Sequence, residues 1–277
     1  MTMSSDAALS GTLVLLGAGK MGGAMLQGWL ERGVPPERIV VLDPSPPEEI
    51  AWTIATHGIR HNPVLDELER IEVLVLAIKP QAFDEVLPGL AGLASHRPLV
   101  VSIAAGRTIA GIERHFGEDA AVIRTIPNVP AAIGRGITAM APNRNVSAAQ
   151  LAQAQSLLEA VGDVVTVEDE SQMDAVTAVA GSGPAYVFHL TECLAEAGVA
   201  AGLPEDLAMK LARATVSGAG ELMRTSGRPA ADLREMVTSP KGTTHEALMV
   251  LMADDGLRPL LAKAVAAATR RSRELAQ

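Results

Sequence analysis

The chain has little of several things, and each shortage removes a class of function. One cysteine, Cys193, is present, so neither a disulfide framework nor a cysteine-based metal site can be built. Aromatic residues make up 2% of the chain, which leaves the core to Ala, Val, Leu, Ile and Met. No apolar run approaches the ~20 residues of a membrane-spanning helix. No early segment combines a basic start, a long apolar core and a cleavage site. The cytoplasm is therefore the expected location. Lys and Arg number 23 against 32 Asp and Glu, a net charge of −9, which argues against nucleic acid as a partner. His57 and His61 are four residues apart, but Gly58 interrupts any helix between them, so no metal site is expected.

What remains is 277 residues, 48% hydrophobic and 20% charged, ample for a soluble protein of two domains. The chain is organised around residues 11–43. Thr12-Leu13-Val14-Leu15-Leu16 reads as a buried parallel strand. It runs into Gly17-Ala18-Gly19-Lys20-Met21-Gly22, a G-x-G-x-x-G turn that opens a helical pattern ending near Gly33. A second apolar strand, Ile39–Leu42, ends at Asp43. In such a unit the first glycine allows the tight turn and the second lets backbone approach a pyrophosphate. The third lets the helix pack closely on the strand. The pyrophosphate then lies on the free N–H groups and positive dipole end of the helix. Asp43, 21 residues past Gly22, stands where an acid can bond the ribose hydroxyls. An ATP-type loop is excluded, because G-x-x-x-x-G-K-[ST] is not matched: Met21 follows Lys20.

Further along, helices are expected at about 48–57, 65–70, 82–94, 108–116 and 148–160. Strands are expected at 73–78, 99–103, 121–124 and 164–167. This alternation predicts a parallel sheet with helices on both faces for a first domain, 1–167, with residues 1–10 frayed. The turns at 17–22, 79–81, 104–106 and 127–130 then share the ligand-binding end of the sheet. From 168 to 277 alanine-rich helical periodicity replaces strands, with Ser171 as a helix cap, a break at Gly181-Ser182-Gly183-Pro184 and a helix over 204–226. Apolar residues on more than one face of these helices predict a dimer at least, the alternative being a monomer whose helices are buried by the first domain.

The chain resembles the pyrroline-5-carboxylate reductases nearly end to end. The likeness runs through GAGKMGGAM at 17–25, AIKPQ at 77–81, VSIAAG at 101–106 and IRTIPNVPAAIGRG at 123–136. It continues through AVAGSGPAYVF at 178–188 and MVTSPKGTTHEAL at 236–248. The GSGPAY and SPxGTT stretches are the most specific. The resemblance implies an α/β fold, a Rossmann-type doubly wound sheet followed by an all-α substrate-binding and dimerisation domain. It implies hydride transfer from NADPH or NADH to L-1-pyrroline-5-carboxylate, giving L-proline in the last step of proline biosynthesis. By position, Thr244 would reach the ring nitrogen, and Ser239, Gly242 and Thr243 would complete a cradle for the carboxylate. Gly17, Gly19, Lys20, Met21 and Gly22 would hold the pyrophosphate, with Asp43 and Asn62 on the adenosine side. Ala77, Lys79 and Pro80, with Ala104, Ala105 and Gly106, would flank the nicotinamide ribose and ring. A homodimer or a larger assembly of dimers is implied.

Several residues depart from the family pattern. Lys241 stands where the family usually has the first glycine of SPGG, and a lysine there loses backbone freedom. His245 replaces a common aliphatic residue, and Val129 replaces the threonine of PNTP. Asp43 occupies the place of small or basic residues in NADPH-preferring members, so NADH is expected to serve at least as well as NADPH. A reductase of a related cyclic imine and a non-catalytic NAD(P)-binding sensor are the alternatives. A β-hydroxyacid dehydrogenase is disfavoured, since that family's catalytic lysine has no counterpart in 171–198. Thr243 and Thr244 could also serve only to cap the helix that follows them.

Overall fold

A computed structural model describes residues 9–275. Its contacts divide the chain into two compact units, 1–181 with 269–277, and 182–268. The division falls 14 residues later than the 167/168 boundary expected from composition, and the end of the last helix belongs with the first unit.

In the first unit eight strands form one sheet: β1 (Thr12–Leu16), β2 (Ile39–Leu42), β3 (Arg60–His61), β4 (Ile71–Leu76), β5 (Leu99–Ser102), β6 (Val122–Ile126), β7 (Gly136–Pro142) and β8 (Gly162–Thr166). Their order is β3-β2-β1-β4-β5-β6-β7-β8. The central runs are buried on both faces, which is why they read as continuous apolar segments. Two cores flank the sheet: one around Leu13, Leu15, Met25, Trp29 and Val41, the other around Val14, Leu74, Phe83, Leu87 and Ile112. The order turns back between β1 and β4, and ligands on such sheets sit beyond the strand ends at that point.

The sheet is not wholly parallel as expected. β7 pairs antiparallel with β6 and parallel with β8. Its sequence, GITAMAP, is rich in Ala, Gly and Pro and gave no strand signal; its neighbours make it a strand. The helices of this unit are α1 (Lys20–Glu31), α2 (Glu48–His57), α3 (Phe83–Val86), α4 (Ile109–Phe116), α5 (Ala148–Leu158) and α6 (Met173–Val176). Two expected helices are weaker than the pattern suggested. Residues 65–67 form a single 3-10 turn, and 82–94 become one α turn followed by a 3-10 run over 87–96. Pro88, Gly89 and Gly92 account for the latter, since none supports a regular α ladder. Asp169, not Ser171, is the cap at the start of 170–172: its side chain accepts from the Ser171 N–H at 2.7 Å. A π turn over Thr177–Gly181 then precedes Ser182. Residues 1–8 lie outside the described span, but 9–11 are not frayed. Leu9 is buried, and the Glu72 carboxylate accepts from Ser10 N, Ser10 Oγ and Gly11 N.

The second unit is helical: α7 (Gly183–Ala200), α8 (Glu205–Ser226), α9 (Ala230–Met236), α10 (Thr243–Leu251) and the first part of α11 (Leu257–Leu275). Helices α7 and α8 pack closely where a Cβ on Gly198 would touch the Ala208 side chain at 3.2 Å. Of residues 182–268 only Ala195, Ala208 and Ala212 are buried apolar residues, while Phe188, Val250 and Leu260 are each 60% or more exposed. No helix among the described residues is long and apolar enough to cross a membrane.

Candidate functional site

In the first unit the strand-turn-helix is built so that two of its glycines cannot be replaced. Gly17 adopts φ +90°, and a Cβ there would stand 2.7 Å from the Ala77 carbonyl oxygen. A Cβ on Gly22 would collide with the Gly17 carbonyl. Gly19 is different: nothing lies within 4 Å of the place its Cβ would take, and it is the N-cap of α1 with no side-chain cap. The backbone is bare there, and the first N–H groups of α1, on Lys20, Met21 and Gly22, are offered at its open end. This suits a dinucleotide pyrophosphate.

Asp43 follows β2, and its carboxylate is bonded twice within the chain. Oδ2 accepts from Ala18 N at 2.7 Å, inside the glycine turn, and Oδ1 accepts from Ser45 N at 2.8 Å. Asn62, at φ +47°, spends both ends of its amide on the Asp43 peptide: Oδ1 accepts from Asp43 N at 3.0 Å, and Nδ2 donates to Asp43 O at 2.9 Å. Asn62 therefore fixes the backbone that aims Asp43. Its left-handed conformation is of a kind asparagine tolerates.

The other predicted cofactor residues lie in the turns beyond β4 and β5. Ala77 N donates to Leu16 O at 2.8 Å, which places Ala77 against the glycine turn. Lys79 precedes the 3-10 turn Pro80–Ala82. Ala104 is buried, Ala105 is exposed and Gly106 takes φ +77°. Arg107, which sequence reasoning missed, joins these turns. Its Nε donates to Pro80 O at 3.0 Å, its Nη2 to Asp84 Oδ2 at 3.0 Å, and its guanidinium lies 5.2 Å from the Phe83 ring centre. The Arg107 hydrogen bond holds the Asp84 carboxyl below its ordinary range.

Also missed was a buried cation on β6. Arg124 is 4% exposed, and Nη1 donates to Glu170 Oε1 at 2.9 Å. The same oxygen accepts from Ile109 N at the start of α4, 2.8 Å away. Asn128 makes a second junction: Nδ2 donates to Ala180 O in the π turn and Oδ1 accepts from Ile137 N. These partners are 46 and 52 residues apart in sequence for the two side-chain links, beyond any local motif.

In the second unit Ser239–Gly242 is a tight turn closed by Gly242 N donating to Ser239 O at 3.0 Å. A Cβ on Gly242 would stand 2.6 Å from Ser239 Oγ and 3.1 Å from Ser239 O, so a larger residue there requires the Ser239 hydroxyl to turn aside. Gly242 is the N-cap of α10 and provides no side-chain cap; Thr243 and Thr244 lie in the first turn, and neither is the cap. The opening N–H groups of α10 thus have no side-chain acceptor at the cap. Such an end favours an anion.

Comparison with known proteins gives the family. Residues 170–275 match the family model described as pyrroline-5-carboxylate reductase dimerisation. Residues 12–106 match the one described as NADP oxidoreductase, coenzyme F420-dependent. Along almost its whole length the chain is 44% identical to the pyrroline-5-carboxylate reductase of Synechocystis, covering 95% of this chain and 97% of that protein. The chain belongs to the pyrroline-5-carboxylate reductase family. Solved structures agree. That of the Coxiella burnetii reductase superposes with a TM-score of 0.90 at 33% identity, covering 97% of this chain and all of that one. The Plasmodium falciparum pyrroline carboxylate reductase, solved with NADP bound, gives 0.78 at 27% identity, with 97% and 99% covered. Membership in the pyrroline-5-carboxylate reductase family makes the protein an NAD(P)-dependent oxidoreductase of proline biosynthesis and a homo-oligomer.

Proposed function

We propose that the chain reduces L-1-pyrroline-5-carboxylate with one set of residues for the cofactor and one for the substrate. Gly17, Gly19 and the N–H groups of Lys20, Met21 and Gly22 take the pyrophosphate, and Asp43, aimed by Asn62, faces the adenosine ribose. Ala77, Lys79, Pro80, Ala104, Ala105 and Gly106 flank the nicotinamide ribose and ring. Bound NADH or NADPH supplies a hydride to the imine carbon. The substrate carboxylate rests on the opening N–H groups of α10, with Ser239, Gly242 and Thr243 around it. The Thr244 hydroxyl hydrogen-bonds the ring nitrogen, which takes its proton from solvent; this makes the imine carbon electrophilic, and hydride addition then turns C=N into C–N. The observation that carries this reading is the uncapped start of α10 directly after the tight turn from Ser239 to Gly242.

Thr244→Ala tests it. Loss of a hydrogen bond to a charged group, about 1.5–3 kcal/mol, predicts a fall of about 10- to 100-fold in kcat. Thr244→Ser should retain most of the rate. Unchanged turnover and unchanged affinity for L-proline in Thr244→Ala would overturn the assignment. A cofactor-binding sensor without turnover is eliminated once NADH absorbance falls on addition of pyrroline-5-carboxylate.

Cofactor choice follows from Asp43. Its carboxylate is fixed by Ala18 N and Ser45 N, and on the proposed placement of the ribose it repels a 2′-phosphate. NADH should be used at least as well as NADPH, and a hundredfold preference for NADPH in kcat/KM would refute this. A homodimer or an assembly of dimers in the cytoplasm completes the reading, supported by the lone exposed thiol of Cys193 and the exposed apolar helix faces.

A further inference from the structure

Three non-glycine residues take left-handed backbone angles among those described: Asn62, Arg97 and Lys241. Asn62 is held there by its hydrogen bonds to Asp43. Lys241, at φ +59°, has no comparable support. It is exposed, and no hydrogen bond or ion pair of its side chain is found among the described residues. A side chain in this region costs about 1–2 kcal/mol relative to glycine. Such strain persists where the surrounding structure gives it a use. Lys241 directly precedes Gly242, the N-cap of α10, and the only acid in that helix's first turn is Glu246, already beside His245 Nδ1 at 3.3 Å. The turn thus carries, one residue before the N-cap of α10, a lysine whose ammonium is not engaged by the described residues, in a protein of net charge −9.

We infer that Lys241 is a specificity residue: its ammonium supplements the backbone cradle and selects a ring substrate that bears a carboxylate. This rests on the proposed placement of the substrate at 239–244. The two components differ in kind. The N–H groups fix the direction of the carboxylate, while the lysine adds a flexible, solvent-screened charge that raises affinity without touching the reacting bond. Its effect therefore belongs in KM, not in kcat, and it weakens with salt.

The test is steady-state kinetics of the full-length enzyme with pyrroline-5-carboxylate at low and high ionic strength. It compares wild type with Lys241→Gln, Lys241→Arg, Lys241→Gly and Thr244→Ala. Lys241→Gln keeps the backbone strain and removes the charge, so KM should rise about fivefold with kcat within twofold of wild type, as suits a partly exposed pair. Its KM should also lose most of the salt dependence shown by wild type. Lys241→Arg should restore both. Lys241→Gly should show the same rise in KM as Lys241→Gln and a higher melting temperature, which separates charge from strain. If Lys241→Gln matches wild type in KM and salt dependence while Thr244→Ala loses turnover, the lysine proposal is overturned and the substrate site stands. If neither variant changes kinetics, the substrate site itself is misplaced.

Discussion

The two units of this chain reach a binding site by opposite routes. In residues 1–181 the proposed cofactor turn grows out of a finished core: β1, β2 and β4 are buried on both sides, and Gly17 and Gly22 are pinned by neighbouring carbonyls. In residues 182–268 almost nothing is buried, and the helices present Phe188, Leu190, Leu194, Val250 and Leu260 to the outside. The first is self-sufficient because a sheet covered on both faces closes its own core. The second leaves apolar faces of the kind that another copy covers, in keeping with a family whose model for this segment is one of dimerisation. The proposed cofactor turn is thus held by packing within one chain, while the proposed substrate turn rests on the short bend from Ser239 to Gly242 and an open helix end.

If the first unit is as tightly packed as described, Gly22→Ala should have the largest effect. The added methyl meets backbone that cannot yield, so cofactor affinity should fall about 100-fold and stability by about 3 kcal/mol. Cofactor titration by fluorescence reads the first effect and urea unfolding the second. Near-normal affinity would mean that the turn is pliable and the contrast false.

Removing the carboxylate from Arg124 tests the same core by charge. Glu170→Ala leaves a guanidinium that is 4% exposed without its partner, at a cost of about 3 kcal/mol in urea unfolding. The double replacement Arg124→Met with Glu170→Leu should recover most of that loss, since it removes the charge with its partner. A double variant as unstable as Glu170→Ala would show that the ion pair is not the cause.

The second unit is tested through its surface. Phe188→Glu places a charge on a face that is 60% exposed in the single chain. If a second copy covers that face, assembly should weaken by about 2 kcal/mol, and light scattering should show smaller species at micromolar concentration. An unchanged mass would move the seam elsewhere on these helices.

The smallest effect concerns the chain start. Burial pushes the Glu72 carboxyl up, but hydrogen bonds from Gln153, Gly11 and Ser10 outweigh it, and its pKa is lowered. A carboxylate with a depressed folded-state pKa stabilises above its unfolded value and loses that contribution as pH falls through the folded one. Glu72→Gln should therefore cost about 1 kcal/mol at pH 7 and progressively less as pH falls from the unfolded-state value of 4.5 through the lower folded-state one. An equal cost at pH 3 and pH 7 would mean that shape, not charge, is responsible.

Much of the first unit was legible because local pattern and burial agree there. Continuous apolar runs marked β1, β2, β4 and β5 within a residue or two, and G-x-G-x-x-G marked the turn. β7 was invisible because alanine, glycine and proline carry no strand preference, and it exists by virtue of the β6 and β8 edges on either side. Residues 82–94 misled in the other direction, since helical spacing was present but Pro88 and two glycines weakened the ladder. Asn62 was assigned to the adenosine side only by resemblance, and its bonding to Asp43 was not legible at all.

Spacing of glycines, apolar period and charge determined by themselves that this chain holds a dinucleotide on a doubly wound sheet and ends in helices. They are local properties, fixed by which backbone angles and faces each residue type allows. Only the tertiary structure decided that Asp43 reaches into the glycine turn, that Arg107 ties 80 to 107, and that Glu170 serves both Arg124 and α4. Those contacts join residues 25 to 61 positions apart, and no local preference encodes a meeting that only folding brings about. The left-handed angle of Lys241 belongs to the same class, because the turn from Ser239 to Gly242 imposes it against the preference of the residue itself.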